Sequence, residues 1–419
     1  MNTPQSNWRR ALTGKKRFFR HLPPWAVPVT GSDLRGGLAA VLDHRSALDR
    51  FRSVLIEHTG SPNCYLVSSG RAALSLILLG LKRLSGRTRV VVPAYCCPTV
   101  VQSVLMASLE PVLCDVSPQT LDLDREALSR LIGRDLLAVV PAHLYGWAQD
   151  VRDLVTTGQE YKLFVVEDAA QAFGAKLCGR MVGNWGDAGF YSLGRGKCVP
   201  VGHGGVIVSQ ERCAPAIVEV IREWVPEPAH LDIGTLSLFL GYGVATHPTG
   251  WWFVVRTPLN PADWGMDVEA LPPIGFRGLS ATQAGIGTSI LARLDQIQAV
   301  CQRNARRLMA QLAEFGFVTV PQIAPGAEPV FLRLPIVVEG EERANRLFDL
   351  LSREGLGVSR SYWRTMPELY SDIFSSDGKD FPGALRLARC LLTLPTHSYL
   401  REEDFERIVV AFQAADHQN

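Results

Sequence analysis

Between residues 60 and 210 the chain alternates short apolar runs with longer stretches of mixed polarity. The runs are Cys64–Val67, Arg89–Val92, Pro111–Cys114, Leu136–Val140, Phe164–Val166 and Gly204–Val208. Between them, Ala72–Lys82, Thr99–Ala107, Arg125–Leu131 and Val151–Thr156 carry helical spacing. A strand covered on both faces reads as an unbroken apolar run, and the helix that follows carries the chain back over the sheet. The pattern predicts βαβ units around a mostly parallel sheet, an α/β architecture.

The rhythm changes after residue 210. Residues 212–275 hold Trp224, Trp251, Trp252 and Trp264 among eight prolines, which reads as an irregular, aromatic-rich insertion. Such a segment either packs a subunit interface or lines a pocket with apolar surface. Ser280 to Phe315 restores a helical period, with Ile286, Ile290, Leu294, Ile297, Cys301, Leu308 and Leu312 on one face. Val330–Val338 and Cys390–Leu394 then read as strands, and Glu342–Arg353 and Glu402–Phe412 as helices. A chain of 419 residues exceeds one ordinary core. We therefore expect a basic N-terminal arm over 1–30, a large domain over 31–300 that includes the insertion, and a small α+β domain over 301–419.

Charge narrows the function classes. The net charge is only +2, and basic residues cluster only near the N-terminus, at Arg9, Arg10, Lys15, Lys16, Arg17 and Arg20. No nucleic-acid footprint is expected, and the arm reads as loose. It lacks the apolar run of a secretory signal. The apolar stretch Leu231–Val255 is broken by Asp232, His247 and Pro248, so no transmembrane segment is expected. The nine cysteines contain no CxxC pair, which argues against zinc or a redox couple and for free thiols in the cytoplasm.

Two stretches carry chemistry. In Phe164-Val165-Val166-Glu167-Asp168-Ala169-Ala170-Gln171-Ala172-Phe173-Gly174, an apolar strand ends in two carboxylates. Ligands of open α/β sheets sit at such carboxyl ends. Taken alone, a carboxylate there is as well explained by a helix cap. In the second stretch, from Gly189 to Val206, Lys197 lies in a glycine-rich and otherwise apolar loop. A desolvated lysine amine loses basicity and attacks aldehydes. No phosphate-binding GxxxxGK[ST] loop is present, so Lys197 is not an ATP-binding lysine.

Together the two stretches resemble the DegT/StrS family of sugar aminotransferases, which are fold-type I pyridoxal-phosphate (PLP) enzymes. Glu167 to Gly174 is similar to that family's E-D-A-A-Q-A-x-G strand end. Ser192, Lys197 and Gly202-His203-Gly204-Gly205 are similar to its S-F-x-x-x-K and G-E-G-G elements. Ser68-Ser69-Gly70-Arg71-Ala72-Ala73-Leu74, Val92-Pro93-Ala94-Tyr95, His143-Leu144-Tyr145-Gly146, Phe276-Arg277 and Leu394-Pro395-Thr396-His397 follow in the family's order. The resemblance covers roughly residues 50–412. It implies a large domain with a mostly parallel central sheet flanked by helices and a smaller C-terminal α+β domain.

The resemblance also implies roles. Lys197 would carry PLP as a Schiff base and move the proton, and Asp168 would pair with the pyridine nitrogen. Gln171 would lie against the ring. Gly70, Arg71 and Ser192 would hold the phosphate at a helix N-terminus. Tyr95 or Cys97 would stand where the family places a stacking aromatic. His143, Tyr145, His203, Phe276, Arg277 and His397 are candidate substrate contacts. The chain departs from the family at Arg71, Cys97, His203 and Gly275, all near the cofactor. The expected reaction moves an amino group from an amino acid, glutamate first, to a keto substrate, a nucleotide-linked keto-sugar first. Alternatives are sugar dehydration, a non-sugar carbonyl acceptor, and a catalytically silent regulatory homologue. Retention of Lys197 speaks against the dehydratase branch. The resemblance implies a homodimer with Phe276 and Arg277 near the partner, and it implies no metal.

Overall fold

The structure is a computed structural model that describes residues 19–226, 233–257, 268, 271–375 and 378–416. Its strands are β1 (Cys64–Val67), β2 (Arg89–Pro93), β3 (Glu110–Cys114), β4 (Leu136–Val139), β5 (Phe164–Asp168), β6 (Lys176–Leu177) and β7 (Arg180–Met181). Then follow β8 (Ala188–Ser192), β9 (Gly205–Ser209), β10 (Val318–Thr319), β11 (Ala327–Glu328), β12 (Leu334–Val338) and β13 (Leu391–Leu394).

A seven-stranded sheet with order β1-β9-β8-β5-β4-β2-β3 forms the centre. Strands β3, β2, β4, β5 and β8 run parallel, while β9 pairs antiparallel with both β8 and β1. The runs from Val90 to Val92, Leu136 to Val139 and Val206 to Val208 are sealed from solvent. That burial on both faces is why the strands read as continuous apolar segments. Helix Gly70–Leu84 begins where Ser69 accepts the Ala72 N–H at 3.1 Å, and it packs along β8 and β9. A three-stranded antiparallel sheet of β10, β12 and β13 forms the smaller unit with helices Glu341–Arg353, Pro382–Cys390 and Glu402–Asp416.

Two expectations need correction, the irregular insertion and the loose arm. The insertion is helical, not irregular, over its described part: Ala214–Trp224, Ile233–Thr246 and Pro248–Val254. Pro248 stands in the first turn of the last of these, where its missing N–H costs nothing. Trp264 lies outside the described residues. The long period from Ser280 to Phe315 belongs to two helices, Ala281–Leu291 and Leu294–Leu312, separated at Ala292 and Arg293. The second helix runs straight through residue 300.

The arm is not loose over residues 19–30. Arg20 pairs with buried Asp404 at 2.8 Å, and the Leu22 N–H donates to Gly355 O at 2.8 Å. Leu22, Ala26 and Val27 are buried. The reading of a basic, solvated arm missed the apolar residues interleaved after Arg20. Residues 1–18 lie outside the described residues.

Candidate active site

Asp168 ends β5 and pairs in register with Phe190 of β8, so Ser192 lies two residues further along the neighbouring strand. Asp168 is buried, at 7% exposure, and accepts the Ala170 N–H at 3.0 Å. Burial raises its carboxyl above the usual range, while that N–H and the charge of Lys197 pull the other way. It makes no ion pair among the described residues. Lys197 follows Gly196, whose φ of +72° lets the loop turn back under Trp25. Desolvation lowers the Lys197 ammonium below its ordinary value, against the opposing pull of Cys97 and Asp168.

Gly70 opens its helix directly against Ser192. A Cβ built on Gly70 would stand 3.2 Å from Ser192 Cβ and 3.5 Å from its Oγ. The place that the resemblance assigns to the phosphate is thus a tight cup between a helix N-terminus and a serine hydroxyl. The Arg71 guanidinium points elsewhere. It donates to Gln102 Oε1 at 3.0 Å and to the Pro272 carbonyl at 2.9 Å. This pins the segment before Phe276, so a direct Arg71–phosphate pair gives way to a structural clamp.

Gln171 is the hub of the floor. Its Oε1 accepts the Tyr145 N–H at 3.1 Å and Arg333 Nη2 at 3.0 Å, and its Nε2 donates to the Tyr362 hydroxyl at 2.8 Å. The Tyr95 and Tyr145 hydroxyls meet at 2.9 Å, and the Tyr95 ring abuts Tyr362 edge-on at 5.6 Å. Tyr95 is only 1% exposed, so it supports the floor and presents no open face for stacking. Cys97 lines the cavity above, its thiol 3.0 Å from Thr99 Oγ1.

Two of the histidines expected at a substrate are spent on the fold. His143 is buried, and Gln149 N–H donates to its Nδ1 at 3.0 Å. Its Nε2 therefore carries the proton and donates to Glu167 Oε2 at 3.0 Å. His397 lies 2.8 Å through Nε2 from the Pro23 carbonyl, and its Nδ1 accepts the Tyr399 N–H. His203 is exposed and meets Gln283, while Phe276 packs edge-on against Trp224 at 5.2 Å and Arg277 is exposed. None of these five lines the cavity described next.

A cavity of about 900 Å³ opens over this floor. Lys197, Gln171, Cys97, Tyr362 and Trp25 line its depth, and Trp251, Val255 and Arg256 of the insertion form one wall. Part of the insertion thus lines the cavity, as the wall reading expects. Arg195, Arg333, Arg353 and Arg360 join Arg256 in the lining, and no described aspartate or glutamate does. The lining is therefore rich in positive charge, which suits an anionic ligand. Arg333, Tyr362, Trp25 and the outer arginines had no local motif in the sequence. Only the fold brings them together.

The chain matches the DegT/DnrJ/EryC1/StrS aminotransferase family over residues 41–413. It belongs to that family. It is 26% identical over 370 residues to GDP-perosamine synthase of Caulobacter vibrioides, covering 86% of this chain and 88% of the relative. An L-glutamine:2-deoxy-scyllo-inosose aminotransferase of Streptomyces lividus is 28% identical over 276 residues, 64% of this chain and 57% of that protein. The crystal structure of the sugar aminotransferase CalS13 from Micromonospora echinospora superposes with a TM-score of 0.73 at 23% identity, covering 94% of this chain and 99% of that one. Aminotransferases of this family depend on PLP. No helix among the described residues is long and apolar enough to cross a membrane.

Proposed function

We propose that this chain is a PLP-dependent aminotransferase that transfers an amino group from an amino acid, glutamate first, to the ketone of a nucleotide-linked sugar. The observation that carries the acceptor class is the outer lining of the cavity, where Arg256, Arg353 and Arg360 stand with no described carboxylate among the lining residues. A diphosphate-bearing substrate supplies the counter-charge such a cleft calls for, and guanidinium forks suit phosphate oxygens. GDP-perosamine synthase, a relative aligned over most of both chains, is named for a nucleotide-linked product. The cyclitol aminotransferase relatives carry the competing reading, an uncharged ketone, which leaves the arginines unexplained.

The residues fit the cofactor. The cup at Gly70 and Ser192 is tight, with an added Cβ 3.2 Å from Ser192 Cβ, and Asp168 is a buried carboxylate with no ion-pair partner among the described residues. Bound there, PLP would act as an electron sink for the substrate's amino carbon. Lys197 would hold it covalently and, with its lowered basicity, move the proton through Nζ. Asp168 would hold the positive charge on the ring nitrogen. Gln171, fixed by three hydrogen bonds, would keep the floor rigid. The family implies a homodimer with shared sites, and we extend that to this chain. All nine cysteines are free and seven are buried, which supports a reducing compartment, the cytoplasm.

The test is borohydride reduction of the cofactor-loaded protein followed by peptide mass mapping, then addition of candidate donors and acceptors. The adduct should lie on the Lys197 peptide. Glutamate should bleach the visible absorbance, and a nucleotide-linked keto-sugar should restore it. Restoration by an uncharged cyclitol ketone but by no nucleotide sugar would move the acceptor to the competing class.

A further inference from the structure

We propose that Arg333 is the receptor for the α-carboxylate of the amino donor. The proposal rests on the aminotransferase reading above and adds to it the residue that selects the donor.

Arg333 stands just before β12, where its N–H donates to the Tyr145 carbonyl at 3.3 Å. Its side chain runs inward to the cavity floor, and the residue is only 8% exposed. Among the described residues its one side-chain hydrogen bond goes to a neutral acceptor, Gln171 Oε1, at 3.0 Å. Among the described residues no carboxylate pairs with it, and its buried Nε has no partner at all. The rings of Trp25 and Tyr145 flank the guanidinium carbon at 5.6 and 5.3 Å. Two other largely buried arginines are matched: Arg293 meets Asp33, and Arg20 meets Asp404. A buried guanidinium without a counter-charge is costly, and a bound anion relieves that cost.

The position selects the anion. Arg333 and Lys197 line the same cavity, and they are close enough for the guanidinium charge to disfavour the Lys197 ammonium. The donor's nitrogen must come to the cofactor end of Lys197. Its carboxylate sits one carbon away from that nitrogen and so arrives beside Lys197, within the reach of Arg333. A planar carboxylate matches the open N–H edge of a guanidinium. The phosphates of an acceptor fit the outer arginines, Arg256, Arg353 and Arg360, better than this flanked and buried one.

The experiment follows each half-reaction of the cofactor-loaded enzyme separately, for wild type, Arg333→Gln and Arg333→Lys. The visible absorbance and the thermal melt establish that each variant is folded and loaded. Glutarate, a dicarboxylate that cannot react, is titrated in parallel by calorimetry. We expect Arg333→Gln to raise the glutamate half-saturation roughly 100-fold, the worth of a buried charged hydrogen-bonded pair. Glutarate binding should be lost, Arg333→Lys should recover part of both, and acceptor half-saturation should stay within about three-fold of wild type. An unchanged glutamate half-saturation, or a defect confined to the acceptor half-reaction, would overturn the proposal, the latter moving Arg333 to the phosphates. Should Arg333→Gln not load, wild-type glutarate titration decides: no binding at any concentration overturns it. A wild-type enzyme bleached by no amino acid would instead overturn the aminotransferase reading itself.

Discussion

The His143 imidazole gives its Nε2 proton to Glu167 Oε2 at 3.0 Å, and neither side chain reaches solvent. Glu167 also accepts the N–H groups of Gly183 and Gly186, both at 2.7 Å. The carboxylate next to Asp168 in sequence is therefore a structural anchor. Alternation along β5 sends it to the opposite face of the sheet.

Because all three partners of Glu167 donate, a Glu167→Gln amide would turn an N–H₂ group toward donors. The variant should lose about 3 kcal/mol of stability, as expected for one broken partner of a buried charged network. A urea titration that places the variant within about 1 kcal/mol of wild type would contradict this anchoring role.

Burial lowers the His397 imidazole to about 4, and the same cause lowers His21 to about 4, helped by Arg256 and Arg407. Between pH 6.5 and 4 the unfolded chain binds protons that the folded chain refuses. The stability these groups contribute is complete above pH 6.5 and is lost as the pH falls through that window. For His397 alone the loss is on the order of 3 kcal/mol. Melting curves from pH 7.5 to 4 should slope downward, and His397→Gln should flatten the slope by one proton.

Asp168→Asn tests a conflict between stability and function. The raised carboxyl of Asp168 means that its ionisation opposes folding of the cofactor-free protein, so stability falls as pH rises through its folded pKa. The amide should remove that fall and melt higher at pH 8. Turnover should drop by roughly 100-fold or more, as for loss of one preorganised charge at the reacting group. Equal turnover in the two proteins would sever Asp168 from the cofactor.

Gly70→Ala places a methyl 3.2 Å from Ser192 Cβ. Alanine favours a helix by about 1 kcal/mol over glycine, so the cofactor-free fold should tolerate it. Cofactor affinity should fall at least about tenfold, read by equilibrium dialysis. Unaltered affinity would relocate the phosphate cup.

Arg256 lies over Trp252 at 4.0 Å and reaches the cavity from the insertion. Arg256→Ala should raise the half-saturation of a nucleotide-sugar acceptor by about tenfold, less so at high salt. Donor kinetics should stay unchanged. A salt-independent effect on both half-reactions would point to packing rather than charge.

Much of this was legible in the chain. The sealed strands spell themselves as apolar runs, and Asp168 and Lys197 stand out because a carboxylate and an amine interrupt apolar or glycine-rich surroundings. What residue types could not reveal was pairing. His143 and His397 have the chemistry of substrate contacts, yet Gln149, Glu167, Pro23 and Tyr399 use their nitrogens. Arg333 escaped for the opposite reason. Its neighbours Gln171, Tyr145 and Trp25 lie 162, 188 and 308 positions away, so nothing local marks it as buried and unpaired.

His21, Leu22, Pro24 and Trp25 supply part of the cavity wall, fastened by the Leu22–Gly355 and Pro23–His397 contacts. Whatever is spliced onto or trimmed from the chain upstream therefore adjoins a wall of the cavity. A purification tag or a shortened start there amounts to active-site engineering. Preparations that differ only at that end should be compared for substrate affinity before they are pooled as one enzyme.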